Sequence, residues 1–152
     1  MKINLLKIIA LLMIFCGGFS SCAKDKDNVL TGTKWKLIGI VDFQSKEIKV
    51  LEGALFHEIP VAFERYKLMF DTDSAFTTHS HTNVLRGVYR ADNSKHTIHM
   101  VIMGGTMAGE GGDGDLYCDA LEDAKSFFIR KNELLIFFND NKNYLLFKLV
   151  KK

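Results

Sequence analysis

Proline is nearly missing from this chain: Pro60 is the one in 152 residues. Tight turns must therefore come from Gly, Asn and Asp. Cysteine is scarce too, with Cys16, Cys22 and Cys118. No apolar run reaches the roughly 20 residues that cross a bilayer as a helix, since the first block, Ile8 to Phe15, is much shorter. Charge of one sign is also lacking. Lys2 and Lys7 lie in the first 21 residues, which hold no acid, and the rest has 18 basic and 18 acidic side chains. That balance gives no support to nucleic acid as a partner, which needs a clustered basic surface.

The reactive motifs are absent as well. There is no Gly-x-Ser-x-Gly, no Gly-Lys-Ser/Thr ending a glycine loop, and no Cys with an evident His partner. Glu122 and Asp123 are adjacent on an expected helix and point apart, so they do not form an acid/base pair. The chain is expected to be no enzyme and to carry no cofactor.

The start of the chain is what remains to be explained. A basic front, the block "IIALLMIF" and then small residues describe an export signal. The segment ends "FSSC", Phe19 to Cys22. It resembles a bacterial lipobox, which implies cleavage after residue 21 and diacylation of Cys22. Cys16 has no small residue before it and competes poorly. The run "AKDKDN" that follows reads as a solvated tether. It resembles loosely the surface-export signals of Bacteroidetes lipoproteins, with lysines alternating where those signals prefer adjacent acids. The expected division is residues 1–21 as signal peptide, 22–29 as lipidated tether and 30–152 as one domain. The expected place is the outer membrane, facing the periplasm or the cell surface, with the membrane as a partner through the Cys22 lipid.

With Cys22 acylated, Cys118 stands alone and no internal disulfide can form. The fold must rest on its core, for which twelve Phe, four Tyr and Trp35 are available. Apolar residues alternate with period two in "KWKLIGIV", where Trp35, Leu37, Gly39 and Val41 share a face opposite lysines. They do so again in "RYKLMFD", where Tyr66, Leu68 and Phe70 share one. Further strands fit "EIKVL", "SAFTTHSH", "VLRGVYR", "HTIHMVIM", "FFIR", "ELLIFF" and "YLLFKLV", with turns at "DTDS", "RADNSK", "RKNE" and "NDNKN". About eight to nine short strands argue for a mostly β protein, an antiparallel barrel-like or sandwich sheet. One helix is expected at about 115–126, where Leu116, Ala120 and Ala124 recur every four residues with Tyr117 and Leu121 beside them. Asp113 or Asp115 would cap it.

In that order the chain resembles the META-domain family, the HslJ-like bacterial envelope proteins, over about Leu30 to Leu149. The pieces are "LTGTKWKL", "YKLMFDTDSAF", "NVLRGVYRAD", "GGTMAGE", "ALEDAKSFFIRKNELLIFF" and "YLLFKL". The resemblance implies a compact antiparallel β domain with a short helix, an envelope location and a link to stress resistance. The family's "GCN" tripeptide is reduced to Asn83 here, and "ALFHEIPVAFE" has no counterpart.

Several constellations invite a functional reading. His79 and His81 on a strand would share a face and face water. They are a weak candidate pair for a metal, because no third ligand is evident. In "GEGGDGDLYCDALE" an EF-hand started at Asp113 puts Cys118 where glycine is required, and the acidic glycine repeat of other calcium proteins fails at Leu116. A loop leading into a capped helix fits better. Cys118 reads as a small buried hydrophobe. Arg86 and Arg90 share a face with Val84 and Val88 that could bind an anion but reads better as a solvated sheet edge. The apolar stretch around Phe56, Ile59, Pro60 and Phe63 is the candidate contact for an envelope protein or a ligand. A small apolar ligand would otherwise need a cavity among Trp35, Tyr66, Phe70 and the Phe137 region.

Overall fold

The computed structural model describes residues 28–54 and 64–151. Cys22, Phe56, Ile59, Pro60 and Phe63 lie outside the described residues. No helix among the described residues is long and apolar enough to cross a membrane.

Among the described residues nine strands follow one another: β1 (Lys34–Asp42), β2 (Ile48–Lys49), β3 (Lys67–Phe70), β4 (Ala75–His79), β5 (Val84–Asp92), β6 (Thr97–Gly105), β7 (Ser126–Arg130), β8 (Glu133–Phe138) and β9 (Asn143–Leu149). One helix, α1 (Gly114–Glu122), comes between β6 and β7. Every pairing is antiparallel, and β9 pairs back onto β1. The ring runs β1-β3-β4-β5-β6-β7-β8-β9, a meander closed into a barrel. The short β2 extends β3 along the same edge of β1, facing Ile40 and Val41.

At this size a barrel interior is just wide enough to be filled by side chains. Trp35, Leu37, Tyr66, Leu68, Phe70, Phe76, Met100, Phe127, Leu134, Ile136, Leu145 and Phe147 fill it, each at most 2% exposed. The expected ligand cavity among Trp35, Tyr66 and Phe70 is thus occupied by those rings themselves. Phe137 looks the other way, into an outer aromatic row with Phe43, Phe128 and Tyr144 at ring separations of 5.1–5.9 Å. Gly87 faces inward where a Cβ would come within 2.5 Å of the Phe76 ring and 2.3 Å of the Val101 carbonyl, so only hydrogen fits.

Most of the alternation is as expected, with Leu68 and Phe70 inside and Arg86, Val88 and Arg90 outside. Two phases differ. A bulge between Leu37 and Gly39 inserts Ile38 and flips the pleat. Ile40, not Val41, then joins the core. On α1 the buried row is Tyr117, Ala120 and Leu121, while Leu116 is 37% exposed. Asp113 makes no side-chain cap. Its carboxylate instead receives Lys49 Nζ (2.8 Å) and the Glu52 N–H (3.0 Å), which hold its pKa below the usual range and join the helix start to β2.

Turns use the left-handed backbone that scarce proline leaves to other residues. Asn139, Asp140 and Asn141 all have φ of 49–63°, and Lys46, His96 and Lys131 do the same in other turns.

Lys36, expected on the face opposite the core, is only 8% exposed, as is its register partner Lys67. Lys36 donates to the Arg65 carbonyl and Lys67 to Glu64 Oε1 (2.6 Å). Burial, then the neighbouring Lys67 charge, push the Lys36 pKa down to about 8. The folded state therefore sheds this proton before the unfolded chain does, and stability should rise as pH climbs from about 8 towards 10.5. The expected result is a rise in urea midpoint across that window in the parent and a flatter profile in Lys36→Met. An equal rise in both would refute the assignment.

Candidate functional site

Strands alternate in direction around the ring, and this sorts the loops to two ends. One end holds the chain's entry at Asn28, the turns 71–74, 92–97 and 130–133, and the exit after β9. Asn28 is fastened there, its Nδ2 donating to Tyr89 Oη (2.9 Å) and to the Asp73 carbonyl (3.3 Å). The other end, opposite Asn28, holds the turns 42–47, 80–83 and 138–143, the glycine-rich segment 106–113 and α1. The helix side chains Tyr117, Ala120 and Leu121 plug that end. Tyr117 Oη shares a hydrogen bond with Thr78 Oγ1 at 2.8 Å, and its ring meets Tyr66 edge-on at 5.2 Å.

Two motif pieces far apart in sequence meet at this distal end. Asn83, 5% exposed, clasps the glycine-rich segment with both ends of its amide. Its Nδ2 donates to the Ala108 carbonyl (2.8 Å) and Glu110 Oε1 (2.6 Å). Its Oδ1 accepts from Thr106 Oγ1 (2.9 Å) and the Ala108 N–H (3.0 Å). Glu110 also accepts from Ser80 Oγ and from the Thr82 N–H (3.2 Å), and Thr82 Oγ1 accepts from the Gly111 N–H (3.0 Å). Neither Asn83 nor Glu110 is visible as a hub from periodicity. The only signal was that both sit inside family-like motif pieces.

The two histidines do not form one site. β4 ends at His79, and Ser80 starts a turn that carries His81 elsewhere. His79 is 20% exposed beside Glu64 Oε2 (4.0 Å), and burial lowers its pKa against the pull of that carboxylate. His81 lies under Gly111 and Gly112, tilted against Tyr66 with ring centres 6.2 Å apart, and its Nε2 is buried without a hydrogen bond. Neither imidazole is free on a wet face, because the strand pattern stops one residue after His79. Among the described residues no three His, Cys, Asp or Glu side chains gather to hold a metal.

Tyr66 is the strained member. Its φ is +51°, costly for a bulky residue, and its ring is fully buried. Burial pushes its phenol up to about 12, and the hydroxyl has the Asp113 backbone as neighbour without a hydrogen bond of normal geometry.

Beside this plug a groove of about 470 Å³ opens between β1, β2, α1 and the β8–β9 turn. Its floor is Ile40, Ile48, Leu116 and Phe138, and Asp42, Glu47 and Lys49 stand at its rim. Its size is that of ordinary ligand clefts. Leu116, off the core stripe, is exposed because it faces this groove.

Cys118 packs partly against the core, and burial followed by Glu110 and Asp115 pushes its thiol up to about 12. A thiol kept protonated is a poor nucleophile. Ellman's reagent should modify it slowly in the native protein at neutral pH and rapidly in urea. Equal rates would contradict the burial.

The fold and this distal end define the class: a closed antiparallel β meander, plugged at one end by a helix. The structure resembles that of a DUF4847-family protein from Bacteroides vulgatus at a TM-score of 0.60, over 82% of this chain and 96% of that one, with 14% identity, which speaks to the fold alone. No family model matches the chain, so the META-domain resemblance rests on the quoted motifs. A protein named "Putative lipoprotein" from Tannerella forsythia is 30% identical over 155 residues, covering 99% of both chains. The chain belongs to the family of that protein.

Proposed function

We propose that the protein is a lipid-anchored, non-enzymatic interaction module of the bacterial outer membrane, held by a diacylated Cys22 and docking an envelope protein with the barrel end far from its tether. The relative's name and the "FSSC" sequence support the anchor. The observation that carries the docking reading is the groove, an apolar floor with exposed Ile48 and Leu116 at the end turned away from Asn28. Phe56, Ile59, Pro60 and Phe63 are proposed as further contacts. The META-domain reading, with its link to envelope stress, is kept at the same level. It is supported by the way Asn83 and Glu110 tie the "NVLRGVYRAD" and "GGTMAGE" pieces together.

The test is photocrosslinking in the living host, with a photoreactive residue at Leu116, Phe56 or, as control, Asn132 at the opposite end. One envelope protein captured reproducibly from Leu116 or Phe56 and not from Asn132 is the expected result. No site-dependent partner, with Cys22 shown acylated by mass spectrometry, would overturn it. The groove's volume also fits a small apolar ligand, which native mass spectrometry of the protein from its host would reveal as a bound mass lost in Leu116→Asp.

A further inference from the structure

We infer that the tether-proximal end of the barrel lies on an anionic lipid surface, held by the basic β7–β8 hairpin and the ends of β1 and β9 beside it. The inference rests on the Cys22 anchor proposed above. Reach is the first argument. Five residues lie between Cys22 and Asn28, and the six steps fully extended span about 20 Å at most. Asn28 is hydrogen-bonded to the turn 71–74, so this end of the barrel is the one kept near the bilayer.

Charge is the second. Lys34 starts β1, where its carbonyl accepts from the Val150 N–H. Lys148 on β9 faces both Lys36 and Glu133 in register. Arg130 and Lys131 form the hairpin, and Lys151 follows β9. Lys34, Arg130, Lys131, Lys148 and Lys151 are all exposed. The one acid among them is Glu133, which binds Arg130 Nη2 at 2.8 Å. Arg130, Lys131, Asn132, Glu133 and Lys148 line a cradle of about 460 Å³, roomy enough for a headgroup phosphate. Asp71, Asp73 and Asp92 stand in the other turns of the same end, where they accept from Thr77, Thr31 and Ser94 and keep their charge, so the basic excess is confined to the β7–β8 hairpin and the ends of β1 and β9 beside it.

The opposite end has the opposite sign. The exposed face of α1 carries Asp115, Asp119 and Glu122 and no basic residue. Asp115 in the first turn suits the helix dipole, but Asp119 and Glu122 lie in the last turn and oppose it, so those two do not serve helix stability. An anionic surface attracts one end and repels the other, which orients the barrel with its groove outward.

The test uses the full lipidated protein in vesicles of phosphatidylethanolamine with or without phosphatidylglycerol. A photoreactive residue replaces Asn132 or Asn139, at opposite ends, and lipid adducts are counted by mass spectrometry. Adducts at Asn132 should exceed those at Asn139 by about fivefold or more, the factor one well-placed cation supplies. The preference should fall without phosphatidylglycerol and in about 1 M salt, where screening acts over about 3 Å. It should fall too in Lys131→Gln with Lys148→Gln. Equal adducts at both ends, or a preference indifferent to phosphatidylglycerol, would overturn the orientation and leave the anchor standing. A Cys22 without acyl mass would remove the anchor and this inference together, while the Leu116 crosslinking result would still stand.

Discussion

Asn83→Leu should lose about 3 kcal/mol of folding stability, read from urea denaturation. Asn83 is 5% exposed, and leucine keeps its bulk while deleting four hydrogen bonds. A typical bond contributes about 1 kcal/mol net, and those to charged groups about 1.5–3. The sum is held near 3 because Glu110 keeps Ser80 and Thr82, and because Thr106 can turn to water. Asn83→Asp is the sharper variant. It sets a second carboxylate at the 2.6 Å contact with Glu110. Two carboxylates at that range share a proton. The folded state then binds more protons than the unfolded one, so this variant should regain stability as pH falls from 7 towards about 5. Asn83→Leu should show no such recovery. A change below about 0.5 kcal/mol in Asn83→Leu would mean the clasp is not formed in solution.

Tyr117→Ala should cost about 4 kcal/mol, the scale of large-to-small changes at fully buried aromatic sites. The ring touches Tyr66 and Phe147 and closes the barrel end, so its loss leaves a hole lined by parts of both. Tyr117→Phe isolates the hydroxyl. Thr78 Oγ1 keeps the Lys67 carbonyl at 3.0 Å, so that variant should lose only about 1 kcal/mol. Near-equal losses in the two variants would place the stabilisation in the hydrogen bond and contradict the plug.

How far the site could be read from the chain differs from residue to residue. Leu68 and Phe70 alternate cleanly, and their burial followed from that alone. Leu116 and Tyr117 sit on neighbouring apolar rows of one short helix, and both rows look alike in sequence. Which one turns inward depends on where the barrel's open end lies, a fact no local pattern contains. Ile40 took the core place expected of Val41, itself still buried, for the same kind of reason: one inserted residue, Ile38, shifts the pleat only because β9 is there to define the register. His81 left its expected partnership with His79 because the Ser80–Asn83 turn bonds to Glu110, about thirty residues away.

Sequence alone determined the number and kind of elements, since alternation, turn residues and the scarcity of proline act within a few residues. It also determined the sign of every charge. Tertiary structure alone decided that the strands close into a ring, that Asn83 clasps Glu110, and that the basic β7–β8 hairpin lies at the end where Asn28 enters, with an acidic helix and a groove at the other. Those outcomes depend on contacts between residues tens of positions apart, where the cost of closing the chain is repaid only by the whole buried core.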